Sequence, residues 1–390
     1  MALLEYDINE SKSITAIILV NVVGPAAYIT QPGLVQGFVE QLSFTEQQAG
    51  FIAASEMGGV AITAIFFMFL TGVLNWRTAI AVASIVMFVG NGTSILVDDP
   101  VAFAIARGIV GVGEGVLISL GFTMLGLTRQ TDRNFGYMVM WLLLFGAIFI
   151  ALMPMIFAQL GMTGVLLVFM LMSIVPLLLR NNLPEQPPAS AIAIENSNLS
   201  PPIIRTLAVF SVLLFFIGIG AIWAYLFLLG LRAEGSEQNV ANTIMVAQFV
   251  GAAGAFFTAT LADRFGRFIP ILATLIVCIL SQLLMTDGVV FAQYVSGVLL
   301  FNFCLNMAHP YLFALLSTLD RSGGIIRYAI AAQMLGIALG PSIAAAVIQN
   351  DDLGNVTSVS IVFLTLALVT LIPALRFTRR LPSEEALQAQ

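Results

Sequence analysis

Residues Val101–Leu127, VAFAIARGIVGVGEGVLISLGFTMLGL, decide the fold class of this chain. The segment is almost wholly apolar and contains only two charged side chains, Arg107 and Glu114. About 20 apolar residues in an α-helix are enough to cross the ~30 Å hydrocarbon core of a bilayer. The segment therefore predicts a transmembrane helix that carries two charges.

The whole chain has the same character. Of its 390 residues 59% are hydrophobic and only 9% are charged, and the mean hydropathy is +1.00. A soluble domain carries about 25% charged residues. So few charges could not cover a surface in water, which excludes a soluble enzyme, a nucleic-acid-binding protein and a disordered chain. The expected partner is the lipid bilayer, with no nucleic acid.

Apolar runs of sufficient length occur twelve times and predict an all-α integral membrane protein with twelve transmembrane helices. The predicted spans are 14–36, 48–70, 78–97, 101–127, 136–159, 163–180, 204–231, 239–262, 269–286, 289–318, 328–349 and 356–375.

One connection between the spans is long. Residues 181–203, NNLPEQPPASAIAIENSNLSPPI, contain five prolines and predict an extended linker. This linker divides the chain into two six-helix halves, 1–180 and 204–390. When the halves are aligned, Val101-Ala-Phe-Ala matches Val289-Val-Phe-Ala, and this repeat indicates pseudo-symmetric halves. Two such halves with a site between them are the architecture of many secondary transporters, which predicts a transport function.

The basic residues predict the orientation, because Lys and Arg accumulate in short cytoplasmic loops. With both termini in the cytoplasm, thirteen of the fifteen Lys and Arg residues fall on that side. Arg232 falls on the opposite side and Arg107 within a span. We expect a multi-pass protein of a bacterial inner membrane that acts as a monomer.

The sequence contains no motif of catalysis or cofactor binding. It has no GxxxxGK[ST], no HExxH and no GxSxG, and its two cysteines, Cys278 and Cys304, lie in apolar runs. We therefore expect neither an enzyme nor a protein with a catalytic residue, a cofactor or a metal ion.

Ionisable groups inside spans are costly and so mark functional sites. Arg107 and Glu114 are seven residues apart, which places them on one helix face. Counted from the span ends, Glu56 lies at a depth similar to that of Arg107. We expect Glu56 to neutralise Arg107 and Glu114 to take up a proton. The alternative is an Arg/Glu tie that orients the helices and has no role in transport.

Polar residues of other spans are candidates for contact with cargo. Asn302, Asn306 and His309 lie on one face of the tenth span, and the repeat makes Asn302 the counterpart of Glu114. This face is predicted to look into the same central cavity as Glu114. The alternative for His309 is a hydrogen bond between helices. The first span offers Asn21 and Tyr28.

Aromatic residues near span ends allow two interpretations. Trp223 and Tyr225 in the seventh span, and Tyr137 and Trp141 in the fifth, could line a cavity or form an interfacial belt.

The end of the eighth span carries a family motif. Leu261-Ala-Asp-Arg-Phe-Gly-Arg267 resembles the G-x-L-A-D-R-x-G-R-[KR] loop signature of the major facilitator superfamily, with departures at Ala259 and Phe268. The resemblance implies alternating access and a conformational latch made by Asp263, Arg264 and Arg267.

The equivalent stretch of the first half is Gly72-Val-Leu-Asn-Trp-Arg77, in which Asn75 replaces the aspartate. The latch of the first half is therefore expected to be weaker or built differently.

The fourth span has a narrower resemblance. Arg107-x-x-x-Gly111-x-x-Glu114-Gly115 is similar to a pattern of the anion:cation symporter group, and the same stretch resembles spinster-type lipid transporters. The symporter resemblance implies that Arg107 meets an anionic substrate and that Glu114 takes part in proton coupling.

These observations lead to two transport hypotheses and one of another class. The first is a proton-coupled symporter of a small organic anion, with sodium as the alternative coupling ion. The second is a proton-coupled exporter of amphiphilic drugs, metabolites or lysolipids. The third is a membrane sensor or assembly protein that transports nothing.

Overall fold

The computed structural model describes residues 7–70, 74–185, 200–265, 268–286, 288–320, 324–348 and 353–379. The regular elements of these residues are helices. The predicted linker is described only at its two ends, since residues 186–199 lie outside the described part of the chain.

The helices follow the predicted spans. The first span consists of two helices, Ser11–Val23 and Ala26–Glu40. The second, third and fourth spans are Glu46–Leu70, Trp76–Ile95 and Pro100–Gly126. The fifth and sixth lie in Thr131–Met172, Ile174–Leu179 and the 3₁₀ turn Arg180–Asn182. The seventh to twelfth are Pro202–Arg232, Glu237–Phe265, Phe268–Gln282 (extended by the 3₁₀ turn Leu283–Met285), Phe291–Leu319, Gly324–Val347 and Gly354–Thr378.

The fifth and sixth spans form the longest apolar helical segment. Among the described residues eleven segments are long and apolar enough to cross a membrane, and one of them, Arg133–Asn182, has 50 residues. At about 1.5 Å per residue it is far too long for a single crossing. It is broken at Gly161, where φ is 60° and ψ is −160°. This break divides the segment into two spans, and the prediction of twelve transmembrane helices is confirmed.

The first span is broken at its centre. Pro25 has no N–H to donate to the carbonyl of Asn21, so the helix that begins at Ser11 ends there. The preceding Gly24 lies against the fourth span, where a Cβ atom would stand 3.0 Å from the side chain of Ile118. Glycine and proline together allow the first and fourth spans to approach closely.

Polar side chains start the third and fourth spans. Asp99 Oδ1 accepts hydrogen bonds from the N–H groups of Val101 and Ala102, at 3.1 and 2.8 Å, and Pro100 occupies the first helical position. Asn75 Oδ1 accepts from the Thr78 N–H at 3.0 Å. These caps fix the ends of two spans that carry the candidate site.

The two halves repeat the same packing. In the first half the second span packs on the fourth and the first on the fifth, while in the second half the eighth packs on the tenth and the seventh on the eleventh. Between halves the second span meets the eleventh, the fifth meets the eighth and the first meets the seventh. A pseudo-two-fold rotation that exchanges the halves converts the first of these pairings into the second and leaves the third unchanged.

An even number of crossings places residues 7 and 379 on the same side of the membrane. We call this the terminal side and the opposite one the distal side.

Candidate functional site

Glycines bring the second and fourth spans into backbone contact. A Cβ atom on Gly111 would overlap the backbone carbonyl of Glu56, and one on Gly59 would overlap that of Gly108. Small residues allow membrane helices to pack at such close range. The contact sets the side chain of Glu56 beside those of Arg107 and Glu114.

Arg107 is enclosed by three spans. Its side chain has no exposed surface, and Nη2 forms an ion pair with Glu56 Oε1, so the predicted contact between these two residues is present. Nη1 donates a hydrogen bond of 2.6 Å to Asn91 Oδ1 on the third span. The guanidinium therefore joins the second, third and fourth spans inside the first half.

Glu114 lies next to this ion pair. It is 2% exposed, and its carboxyl group lies beside the carboxyl group of Glu56. Among the described residues, no group hydrogen-bonds to Glu114 Oε2. Two carboxyl groups and one guanidinium leave one excess negative charge if both carboxyl groups are ionised. Because a buried excess charge is costly, the cluster is suited to holding one proton.

Asn91 was missed by the sequence reasoning. It is 1% exposed and lies in the last two turns of the third span, while Arg107 lies in the first two turns of the fourth. Because a short loop joins these spans, the two residues stand at similar depth. Counting from that loop would have paired them, but an asparagine in a span has several other uses.

The candidates of the first span have different surroundings. Asn21 is buried and donates to the Ile17 carbonyl at 2.8 Å, and its amide fills the space beside Gly121 of the fourth span. The carbonyl of Tyr28 accepts a hydrogen bond of 2.9 Å from Trp223 Nε1, and the rings of Tyr28 and Trp223 are 6.3 Å apart. Asn21 thus lies within the first half, whereas Tyr28 lies where the halves meet.

The polar face of the tenth span is turned into the second half. The Asn302 and Asn306 amides donate to carbonyls of their own helix, at 3.1 and 3.0 Å, and Asn306 packs against Gly251 of the eighth span. Glu114 packs inside the other half, so the structure does not bring it together with Asn302. No contact between Glu114 and Asn302 is present among the described residues, and the cavity shared by these residues stays a prediction.

His309 has aromatic neighbours. Its ring lies edge-on to Phe216 of the seventh span, at 5.2 Å, and to Phe313 of its own helix, at 5.0 Å. Its side chain also lies near that of Gln333 of the eleventh span. His309 therefore links three spans of the second half.

The two pairs of aromatic residues near span ends have different surroundings. Trp223 and Tyr225 are 3% and 0% exposed and contact the first half, which assigns them to the junction of the halves. Tyr137 and Trp141 are about half exposed, as expected for residues that face lipid.

Most of the predicted latch lies outside the residues that the structure describes. The helix of the eighth span continues through Asp263 and Arg264 to Phe265, slightly beyond the predicted end. The side chains of Asp263 and Arg264, and the whole of Arg267, lie outside the described residues.

Most of the equivalent region of the first half lies within the described residues. Asn75 caps the third span, and Arg77 forms an ion pair of 2.7 Å with Glu185 and donates to the Leu183 carbonyl at 2.6 Å. Arg77 thus connects the start of the third span to the beginning of the linker.

Polar contacts join the halves at the distal side. Arg232 Nη2, at the end of the seventh span, pairs with Glu46 Oε1, at the start of the second, at 2.9 Å. Tyr225 OH donates to the Glu46 carbonyl at 3.0 Å. Gln238 Nε2 donates to the carbonyl of Ala151 at 3.2 Å. These contacts close the distal side of the junction.

The buried apolar clusters also differ between the distal and the terminal side. Distal residues of the first half, such as Phe38 and Phe44, belong to one buried cluster with the second half. Residues of its terminal side, such as Trp76, Leu120 and Leu125, form a separate cluster composed of first-half residues alone. The halves thus join at the distal side, while at the terminal side the first half keeps its own core.

Among the described residues, no group of three or more His, Cys, Asp or Glu side chains could hold a metal ion.

Comparison with known proteins gives one family and several solved structures of similar fold. Residues 16–341 match the family described as the Major Facilitator Superfamily. The fold is similar to that of a D-xylose-proton symporter, at 16% identity and a TM-score of 0.73, covering 93% of this chain and 97% of that one. It is also similar to an auto-inhibited POT family peptide transporter, at 12% identity and a TM-score of 0.74, covering 95% and 97%. A nucleoside transporter matches at 13% identity and a TM-score of 0.70, covering 94% and 99%. No curated protein sequence matches the chain. At these identities the likeness concerns the fold alone.

Proposed function

The chain belongs to the major facilitator superfamily, a family of transporters, and from this premise we propose that it is a proton-coupled symporter of a small organic anion. The observation that carries the proposal is the buried cluster of Arg107, Glu56 and Glu114. The first half is the coupling half, and transport proceeds by alternating access.

Charge balance supports proton coupling. With both carboxyl groups ionised, the cluster carries one excess negative charge in a low-dielectric site, so a proton or an external cation must balance it. Glu114 is the carboxyl group that takes the proton, because Glu56 already has the guanidinium as its partner. The bound proton is released when the site opens to the side of lower proton concentration.

Competition for Arg107 supports an anionic cargo. In the enclosed state Glu56 and Asn91 occupy Nη2 and Nη1 of the guanidinium. When Glu114 carries its proton, a carboxylate of the cargo competes with Glu56 for the guanidinium. The planar fork of arginine then binds that carboxylate in two places.

The charge distribution supports an orientation. If the basic terminal side faces the cytoplasm, the distal closure seals the outer entrance, and the structure corresponds to an inward-facing state. In this proposal the membrane is a bacterial inner membrane, and the protein functions there as a monomer.

A second candidate function rests on the aromatic residues at and beside the junction. Tyr28 and Trp223 meet between the halves. Phe216, two turns before Trp223 in the seventh span, contacts His309. Such surroundings suit an amphiphilic cargo, and they favour export of drugs, metabolites or lysolipids as the alternative.

The test has two stages. Purified protein is first screened for thermal stabilisation by organic acids, amphiphilic amines and lysolipids, because a ligand of the folded state raises the apparent stability. The best ligand is then followed in proteoliposomes with an imposed proton gradient. Anion symport predicts that an organic acid accumulates with inward proton flow, whereas stabilisation by amines or lysolipids alone, with expulsion from the vesicles, favours the exporter.

The variant Glu114→Gln tests the coupling. It keeps hydrogen-bonding capacity but cannot cycle a proton, so exchange of cargo should remain measurable while accumulation driven by the gradient is lost. Glu185→Gln removes an exposed carboxyl group outside the cluster; it is the matched control and should keep both activities. Uphill transport by Glu114→Gln would move the coupling site to Glu56 or His309.

A further inference from the structure

Asn91 presents a fixed acceptor to Arg107. Its Nδ2 donates to the Met87 carbonyl at 2.8 Å, one turn earlier in the third span. A carbonyl can only accept and a guanidinium can only donate, so this bond leaves Oδ1 as the atom that faces Arg107 Nη1, at 2.6 Å. The helix of the third span therefore sets the position of one side of the guanidinium.

The acceptor is neutral, and this matters for the charge of the cluster. Asn91 accepts one hydrogen bond from the guanidinium without adding a negative charge. The ion pair with Glu56 engages Nη2, and among the described residues no group accepts from Nε. The cation is thus held on both sides but is neutralised by a single carboxylate.

The other charged groups at this site come from two spans. The second span contributes Glu56 and the fourth contributes Arg107 and Glu114, while the described residues of the third span contribute no ionisable group beyond Arg77 at its far end. From the first span the amide of Asn21 lies beside Gly121, two turns from Glu114. The position of Arg107 relative to the two carboxyl groups therefore determines which of them is left without a counter-charge.

We propose that Asn91 is a positioning residue that holds Arg107 on Glu56 and thereby reserves Glu114 for the exchangeable proton. The inference rests on the proposed function of the cluster, since it specifies how the proton site is selected. It assigns a role to the third span, which otherwise carries no coupling residue.

Two substitutions at position 91 should act in opposite directions. Asn91→Leu removes the neutral acceptor, so Arg107 turns toward Glu114 and stabilises its ionised form. Asn91→Asp is isosteric and adds a carboxylate that competes for Arg107, so the cluster retains its proton to higher pH. Hydrogen bonds to charged groups are strong enough to move a titration midpoint by about one pH unit or more.

The experiment uses protons alone as the probe. Infrared difference spectra of the full chain in lipid vesicles are recorded as a function of pH, and the C=O band of the protonated Glu114 carboxyl is identified by its loss in Glu114→Gln. The midpoint of this band should fall to lower pH in Asn91→Leu and rise in Asn91→Asp. Ser94→Ala is the matched control, because Ser94 is buried in the same span and, within the described part of the chain, hydrogen-bonds to the Gly90 carbonyl alone.

The possible failures are distinguishable. A Glu114 band with the same midpoint in wild type and in both Asn91 variants would overturn the positioning role while leaving the proposed function intact. Absence of any titrating Glu114 band in the wild type would instead defeat the proposed function. If Asn91→Leu does not fold, the isosteric Asn91→Asp decides the question alone, and an unchanged midpoint there overturns the inference.

Discussion

Glu46 and Arg232 form an ion pair of 2.9 Å that joins the start of the second span to the end of the seventh. The pair lies on the distal side, and Tyr225 adds a hydrogen bond to the backbone of the same glutamate. Two side chains of the second half thus bind a single residue of the first half. Since the halves must separate here for the distal side to open, this pair favours the state that the structure represents.

Removal of the pair should therefore favour distal opening. Arg232 is about half exposed, and an ion pair of this kind contributes about 0.2–1 kcal/mol, so Arg232→Ala should raise the ratio of distal-open to distal-closed molecules by up to about fivefold. Distances between spin labels on the second and seventh spans measure this ratio. Glu185→Gln breaks the Arg77 ion pair, which does not cross the junction, and should leave the ratio unchanged. Equal populations in wild type and Arg232→Ala would show that the apolar contacts alone keep the distal side closed.

The glycine contact of the second and fourth spans gives a matched pair of stability variants. A Cβ atom at Gly59 would overlap the Gly108 carbonyl, whereas a Cβ atom at the adjacent Gly58 meets nothing within 4 Å. Gly59→Ala should destabilise the protein by about 1–3 kcal/mol through overpacking. Gly58→Ala should be neutral or stabilising by up to about 1 kcal/mol, because alanine is the better helix former. The thermal unfolding midpoints of both purified variants check the difference, and equal midpoints would contradict the close contact.

The anion hypothesis depends on the shape of Arg107. Arg107→Lys keeps the charge but loses the planar fork, so binding of an organic acid should weaken about ten- to hundredfold while the protein still folds. Calorimetric titration with the best acid ligand measures the loss, and Arg129→Lys at an exposed position is the control. Binding at wild-type strength would argue against anion symport, favour the exporter and leave Arg107 as a tie between helices.

The latch at the end of the eighth span remains a prediction. Asp263→Asn should shift the balance between conformations more than it changes the affinity for cargo, because the expected partners of Asp263 are an arginine or a helix N-terminus at the terminal side. Cross-linking yields on each side report the shift, with Asp98→Asn in an exposed distal loop as control. Lost binding at unchanged populations would place Asp263 in the cargo site instead.

A further experiment tests whether the distal contacts control the access of protons to Glu114. If Arg232→Ala opens the distal side, Glu114 becomes reachable from that side, and protonation should follow the pH of the distal compartment. In oriented vesicles the Glu114 infrared band should then respond to external pH in the variant and to internal pH in the wild type. The same response in both proteins would mean that the distal contacts do not control access to the proton site.

The sequence by itself determined the elements that depend on local composition. The length of an apolar run decides whether a helix crosses the bilayer, and so twelve spans could be counted without a structure. The depth of a residue follows from counting along a helix, and this was enough to pair Glu56 with Arg107. Polar caps such as Asp99 mark span ends within a few residues, since their partners are close in sequence.

Only the tertiary structure decided which way each face of a span is turned. Asn302 is the counterpart of Glu114 in the repeat, and each of the two packs within its own half, which the pattern of an almost uniformly apolar helix does not determine. Asn91 and Arg107 meet through side chains on separate spans, and Glu46 meets Arg232 across the two halves. Such contacts depend on how the helices are rotated and on which state of the transport cycle the halves adopt, and neither is a property of any single segment.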